Sequence, residues 1–242
     1  MPRKRILILG GTSDARKLAV ELIAAGHEAV TSLAGVTHAP VVPDGEIRVG
    51  GFGGEEGLYA YLKSGGFAAL ADATHPFAAQ ISQHGFSAAL RAGVPYLRLE
   101  REPWVLAPGD RWIGVASIAG AVNALPSQAR IMLTIGRKEI APFLSRNDIS
   151  GVARMIEAPP LPMPPHWHLI QARPPFSFED ECSLLVEHHI SHLVTKNAGG
   201  PQTEAKLQAA RELSLPVVMI ARPVKPKGQT FASAAALVAT LG

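Results

Sequence analysis

A chain of 242 residues that is 47% hydrophobic and 18% charged can bury a sizeable core, in one large domain or two smaller ones, and is too apolar to be disordered. Its formal charge of +3 comes from scattered Lys and Arg rather than a basic run, which argues against a nucleic-acid partner and leaves room for a polyanionic small molecule. Cys182 is the only cysteine, so a disulfide framework and a cysteine zinc site are both excluded within one chain.

The basic start, Met1 to Arg5, is followed by only four apolar residues before Gly10, and no apolar run approaches the length of a membrane span. A soluble, cytoplasmic protein without a membrane partner is expected. From there, short apolar runs alternate with amphipathic stretches, the pattern of an α/β chain with parallel strands. "RILIL" (5–9) reads as the first strand, and Ala15, Leu18, Ala19, Leu22 and Ile23 follow on one helical face, with Gly26 as the stop. Strands are expected at 28–33, 46–50, 67–73 and 94–99, and helices near 55–64 and 78–92. Beyond Glu100 the rhythm gives strands at 112–116, 130–135, 152–158, 167–172, 191–196 and 216–222. Helices fall near 117–124, 178–189, 202–214 and 231–241, and "PPLPMPP" (159–165) can only be a surface connection. The expected fold is two Rossmann-like parallel-sheet domains facing a central cleft, 1–98 and 99–242, with the option that the last helix packs back on the first half.

Glycine and polar residues gather just after the predicted strands: "GGTSDAR" (10–16), "SLAG" (32–35), "GGFGG" (50–54) and "DATHPFA" (72–78) in the first half. The second half repeats the habit with "TIGRKE" (134–139), "TKNAGG" (195–200) and "ARP" (221–223). Parallel sheets bind ligands at this edge, where loop amides and helix N-termini converge. Gly10 and Gly11 permit a tight turn and close backbone approach at a helix start, where free N–H groups favour an anion. Thr12 or Ser13 can cap that helix and reach a phosphate, whereas Asp14 suits the helix dipole but competes with a bound anion. A capped turn with no ligand would use the same residues. After the second strand, Thr31-Ser32-Leu33-Ala34-Gly35 lacks the acid that holds ribose hydroxyls in NAD sites, which leans toward a 2′-phosphate.

Other motifs carry less. "YAYLK" (59–63) has the Tyr-x-x-x-Lys spacing of short-chain dehydrogenases but comes far too early in the chain. His188 and His192 would share a helical face only if the helix reached that far, and no third ligand lies near in sequence; no metal is expected. Ser13, Ser32 and Ser82 lack a Gly-x-Ser-x-Gly context.

"DATHPFAAQIS", together with "ILGGTSDARKLA", "SLAG", "GGFGG", "YLRLER", "TIGRKE", "TKNAGG" and "PVVMIARP", resembles the precorrin-6A reductases of cobalamin biosynthesis, in collinear order over nearly the whole chain. The resemblance implies a two-domain Rossmann-like enzyme using NADPH to reduce the C18–C19 double bond of the precorrin-6A macrocycle to precorrin-6B. Relatives in the anaerobic pathway act on the cobalt-containing substrate. Where the family often has arginine after "SLAG", this chain has Val36 and then Thr37; Arg16, Lys17 or Arg48 would have to replace it. A short-chain-dehydrogenase-like oxidoreductase and a non-redox tetrapyrrole-binding lyase remain as rivals.

Motifs and resemblance together mark Gly10, Gly11, Thr12, Ser13, Ser32, Ala34, Gly35, Gly51, Thr74, His75 and Pro76 for NADPH. Phe77, Arg98, Arg101, Arg137, Lys196, Asn197, Gly199, Gly200 and Arg222 are expected to meet the substrate, whose carboxylates the cations would attract. The two halves would supply opposite walls of one site, with neighbouring pathway enzymes as the expected macromolecular contacts. Hydride addition also needs a proton, for which His75 and Lys196 are the candidate donors. His75 could equally serve by fixing the Thr74-to-Phe77 turn through a backbone hydrogen bond.

Overall fold

A computed structural model describes residues 2–35 and 44–242; Val36 and Thr37 lie outside the described residues. In chain order the elements are β1 (Arg5–Leu9), α1 (Ser13–Ala24), β2 (Glu28–Leu33), β3 (Glu46–Val49), α2 (Glu55–Ser64), β4 (Ala69–Asp72), α3 (Ala79–Ala92), β5 (Tyr96–Leu99) and β6 (Arg111–Val115). They continue with α4 (Ile118–Asn123), β7 (Arg130–Thr134), α5 (Ala141–Leu144), β8 (Ser150–Met155), β9 (Trp167–Gln171), α6 (Phe178–Glu187) and β10 (His192–Lys196). The last are α7 (Ala205–Glu212), β11 (Pro216–Ile220), β12 (Gln229–Phe231) and α8 (Ala234–Ala239).

The chain forms two units, one made of Met1–Glu102 and Pro223–Gly242 and the other of Pro103–Arg222. The partition differs from 1–98 and 99–242 because the last stretch returns to the first unit. There β12 pairs with β5, and Ala234, Leu237 and Leu241 join Leu18, Leu22 and Leu97 in one apolar cluster. The helix expected over 231–241 is shorter for the same reason: its first residue is spent on the strand, and Ser233 caps α8 by accepting from Ala236 N.

The first unit holds a six-stranded sheet in the order β12-β5-β4-β1-β2-β3, with every pairing parallel. Along β1, Ile6 and Ile8 pack with α1 and α8 residues while Leu7 and Leu9 pack with Leu58 and Leu62 of α2 and Ala88 and Ala89 of α3. This two-residue alternation, with helices on both faces, is the doubly wound arrangement. On α1, Ala15, Leu18, Ala19 and Leu22 are buried as the spacing requires, but Ile23, about 100° further round than Leu22, is exposed. The chain runs outward from β1 to β3 and then returns to β4 on β1's other side, so the direction of winding reverses between β1 and β4.

The second unit repeats the scheme, in the order β6-β11-β10-β7-β8-β9 and again all parallel. Its reversal falls between β7 and β10. Met132, Val152, Leu193, Val217 and Met219 from the strands meet Leu185 of α6 and Leu207 of α7 in its core. Among the described residues no helix is long and apolar enough to cross a membrane.

Candidate active site

In a sheet wound this way the loops that follow the two strands at the reversal splay apart and leave a crevice. In the first unit these are the loops after β1 and β4. Gly10 and Gly11 do different work in the first. A Cβ at Gly10 would come within 2.7 Å of Thr31 Cγ2, so that glycine is required by packing against β2. Gly11 has φ +104°, and a Cβ there would meet nothing within 4 Å. It is required by conformation, and its outer face is open. Thr12 is the N-cap: its hydroxyl accepts from Ala15 N at 3.0 Å and donates to Ala73 O at 2.7 Å. The cap therefore ties the two loops together and commits its only proton to Ala73, so it has none left to donate to a phosphate. The remaining donors toward a ligand here are backbone N–H groups and the half-buried Ser13.

The loop after β4 is organised by Asp72, only 2% exposed. Its Oδ1 accepts from Thr74 N at 3.1 Å and Thr74 Oγ1 at 2.6 Å, and its Oδ2 accepts from Tyr96 OH at 2.7 Å. Lys225 Nζ reaches Thr74 Oγ1 at 3.5 Å. Burial alone would push the Asp72 carboxyl up, but the Lys225 charge and hydrogen bonds from Ser82, Thr74 and Tyr96 outweigh it and hold the group below its ordinary value. Burial and the Asp72 charge push the Tyr96 phenol upward, which keeps it a donor. Pro76 is buried and Phe77 half-buried, while His75 is exposed with its Nδ1 accepting from Phe77 N at 3.3 Å. The turn-fixing role is therefore present. In the neutral ring this bond leaves the proton on Nε2.

At the ends of β2 and β3, Ser32 is buried, and Ala34, Gly35 and Gly51 are exposed. Arg48 joins them: its Nη1 lies 3.4 Å from Ser32 Oγ and 2.5 Å from Gly50 O, and its Nη2 lies 2.8 Å from Gly51 O. Its guanidinium stacks on Phe52, 3.8 Å from the ring centre. Of the other cations considered for this place, Lys17 lies along α1 and pairs with Glu21 at 3.8 Å.

In the second unit the loops after β7 and β10 meet through an ion pair between Lys196 Nζ and Glu139. Arg137 pairs with Glu157 at 3.1 Å. Asn197 is an anchor: its Oδ1 accepts from Trp104 N at 2.8 Å and its Nδ2 donates to Trp104 O at 3.0 Å. Arg222 likewise donates to Asn197 O at 2.8 Å and Ala198 O at 3.0 Å. Gly199 and Gly200 both take positive φ to complete the turn, and Trp104 Nε1 donates to Gly200 O. In the first unit Arg98 pairs with Glu100 and donates to Pro226 O, and Arg101 pairs with Asp14 at 2.6 Å. Each of the five cations expected to receive carboxylates thus has a partner within its own unit.

The lesser motifs separate. Tyr59 sits on α2 beneath the Arg91 guanidinium, 4.4 Å from its ring centre. His188 caps α6, whereas His192 opens β10 and meets Ser191 Oγ at 2.9 Å, so the two share no helical face. Sequence reasoning missed Asp72, Tyr96, Lys225 and Glu139. A carboxylate closing the apolar run "FAALAD" was the one available signal, because a strand end rarely buries an acid without partners.

The family model for precorrin-6x reductase CbiJ/CobK matches residues 5–241. The chain is 47% identical to the precorrin-6A reductase of Rhodococcus erythropolis, covering 98% of this chain and 97% of that one. It is 45% identical to the precorrin-6A reductase of Rhodobacter capsulatus, over 92% and 89% of the two chains. It is 30% identical to the cobalt-precorrin-6A reductase of Priestia megaterium, over 94% of each. A solved structure of CobK precorrin-6A reductase superposes with a TM-score of 0.93 at 42% identity, covering 98% of this chain and 96% of that one.

Asp72→Asn removes the charge that Lys225 and three hydroxyls stabilise, and is expected to cost about 2 kcal/mol in urea unfolding at neutral pH. The group's pKa is lowered on folding, so its contribution is complete above about pH 4, the unfolded carboxyl value, and fades as pH falls through the folded value. The stability difference between wild type and Asp72→Asn should therefore narrow in acid. A difference independent of pH would show that the charge is not what Asp72 contributes.

Proposed function

Because the chain belongs to the precorrin-6x reductase family, we propose that it reduces the C18–C19 double bond of precorrin-6A with NADPH, giving precorrin-6B in cobalamin biosynthesis. The observation that carries this is the open Gly11 turn at the first unit's winding reversal, in a chain matched to the family from residue 5 to residue 241. The two relatives above at 45% identity or more carry the precorrin-6A name and the 30% relative the cobalt-precorrin name, which favours the cobalt-free substrate.

The first unit's residues fit a dinucleotide. The positive-φ turn at Gly11 and the start of α1 offer backbone N–H groups to a diphosphate, with nothing where a side chain would stand. Ser32 and Gly51 touch Arg48, whose cation replaces the absent acid and suits a 2′-phosphate, and Gly35 lies beside Gly50 at the same edge. Thr74, His75 and Pro76, on a loop made rigid by Asp72, would hold the nicotinamide end. When bound, the cofactor supplies the hydride.

The chain's own residues must orient the macrocycle and deliver one proton. His75 is the proposed donor: its exposed ring gives up a proton as an imidazolium, and the neutral ring that results has the Nδ1 that accepts from Phe77 N. Lys196 is proposed to receive a substrate carboxylate in exchange for Glu139, with Arg137 in the same loop. Phe77, Arg98, Asn197, Gly199, Gly200 and Arg222 then shape or brace the surrounding loops.

Anaerobic incubation with precorrin-6A and NADPH, followed by chromophore change and product mass, tests the activity. No product from folded protein that does bind NADPH would end this reading. Gly11→Val should weaken NADPH binding tenfold or more, read from the cofactor's fluorescence enhancement, and an unchanged dissociation constant would make the turn purely structural. Arg48→Gln should lower NADPH affinity about tenfold while changing NADH affinity less than about twofold; equal losses for both would remove Arg48 from 2′-phosphate selection.

Steady-state kinetics divide the remaining roles. His75→Gln is expected to change the pH dependence of kcat, and Lys196→Ala chiefly to raise KM for the macrocycle about tenfold. Wild-type kinetics in either variant would withdraw that residue's role.

A further inference from the structure

A carboxylate in the first turn of a phosphate-binding helix is a liability. It sits among the donors that a diphosphate would use, and it repels the ligand. Asp14 occupies that position in α1, two residues after the Thr12 cap and three after the open Gly11 turn. It does not stand alone: Arg101 Nη1 lies 2.6 Å from Asp14 Oδ2. Both side chains are shielded, Arg101 to 22% exposure and Asp14 to 36%. They line a cavity of about 90 Å³ together with Lys17, Leu99 and Ser233.

Arg101 arrives from just beyond β5, on the far side of β4 from α1's strand, so the pairing comes from the fold and not from neighbouring sequence. The shielding matters because a half-buried pair is screened less by salt than a surface one. Lys17, on the outward side of α1 and paired with Glu21, adds a second positive charge to the same cavity.

We infer that Arg101 is a positioning residue for the cofactor rather than a substrate clamp: by neutralising Asp14 it converts the start of α1 from a repelling into an accepting site for the nucleotide diphosphate. The inference rests on the proposed reading of the Gly11 turn as a phosphate loop. It separates Arg101 from the cations assigned to substrate carboxylates and gives Asp14 a role as its anchor.

The test is a charge-neutralising double-mutant cycle read by NADPH fluorescence titration at low salt, with thermal unfolding measured alongside. Wild type must bind NADPH; failure there overturns the phosphate-loop reading itself. Arg101→Gln is expected to weaken NADPH binding about tenfold, and the double variant Asp14→Asn/Arg101→Gln to return to within about threefold of wild type. A loss that the second substitution does not rescue would mean that Arg101 touches a ligand directly, and no loss at all would mean that the pair is only structural; either overturns the inference. Should Arg101→Gln fail to fold, Asp14→Asn alone decides: affinity equal to or above wild type supports it, and weakened affinity overturns it.

Discussion

The first unit's loop edge depends on keeping one charge buried. Asp72 closes β4 where a strand would ordinarily end in an apolar or exposed residue, and an isolated carboxylate there would cost several kcal/mol. Hydroxyls of Thr74, Ser82 and Tyr96, the Thr74 N–H and the Lys225 charge remove that penalty, drawn from separate parts of the chain. Thr74 lies two residues on, Tyr96 opens β5, and Lys225 belongs to the segment that re-enters the unit at Pro223. The carboxylate thus fixes the loop after β4 to the neighbouring strand and to the returning C-terminal segment. Thr12 extends the same framework to the loop after β1 through Ala73. Once these are joined, the backbone groups at Gly11 and the ring of His75 are presented by a braced edge.

The cations show a second economy. A formal charge of +3 suggested a surface with positive groups to spare for a polyanionic ligand. Instead Arg98, Arg101, Arg137 and Lys196 each have an acidic partner, and Arg222 is spent on backbone carbonyls. A paired lysine is not thereby lost to a ligand. A substrate carboxylate that replaces Glu139 on Lys196 exchanges one ion pair for another, so the binding energy is smaller than for a bare cation, but the site avoids holding an uncompensated charge when empty.

Much of this was legible from residues. The alternation of apolar runs, the cap-and-glycine boundaries of α1, and the clustering of glycine and polar residues after strands are all local signals, and local geometry decided them. Ile23 was misplaced because a helical face is a continuous angle, and its edge is set by what packs there. Residues 223–242 were assigned to the second half because sequence order says nothing about where a crossover returns. Strand β12 is three residues long and carries no periodicity to read. Asn197 looked like a ligand residue because its amide can donate and accept, and the structure spends both functions on the backbone of Trp104. Long-range pairs such as Asp14–Arg101 and Thr74–Lys225, 87 and 151 positions apart, leave no local trace.

Both units present the same winding reversal, yet they furnish it differently, and the chemistry of the proposed ligands gives a reason. A diphosphate is small, doubly charged and fixed in shape, so it is best held by backbone N–H groups that cannot move, which calls for an unencumbered glycine turn such as that at Gly11. Carboxylates on flexible arms around a macrocycle vary in position, so long cationic side chains that can shift, such as Lys196 and Arg137, suit them better. The backbone loop is rigidified from beneath by Asp72 and Thr12, while the side-chain loops are held in reserve by Glu139 and Glu157. For the proposed reaction, a rigid backbone edge suits a ring that must be oriented, and adaptable side chains suit the arms of a macrocycle.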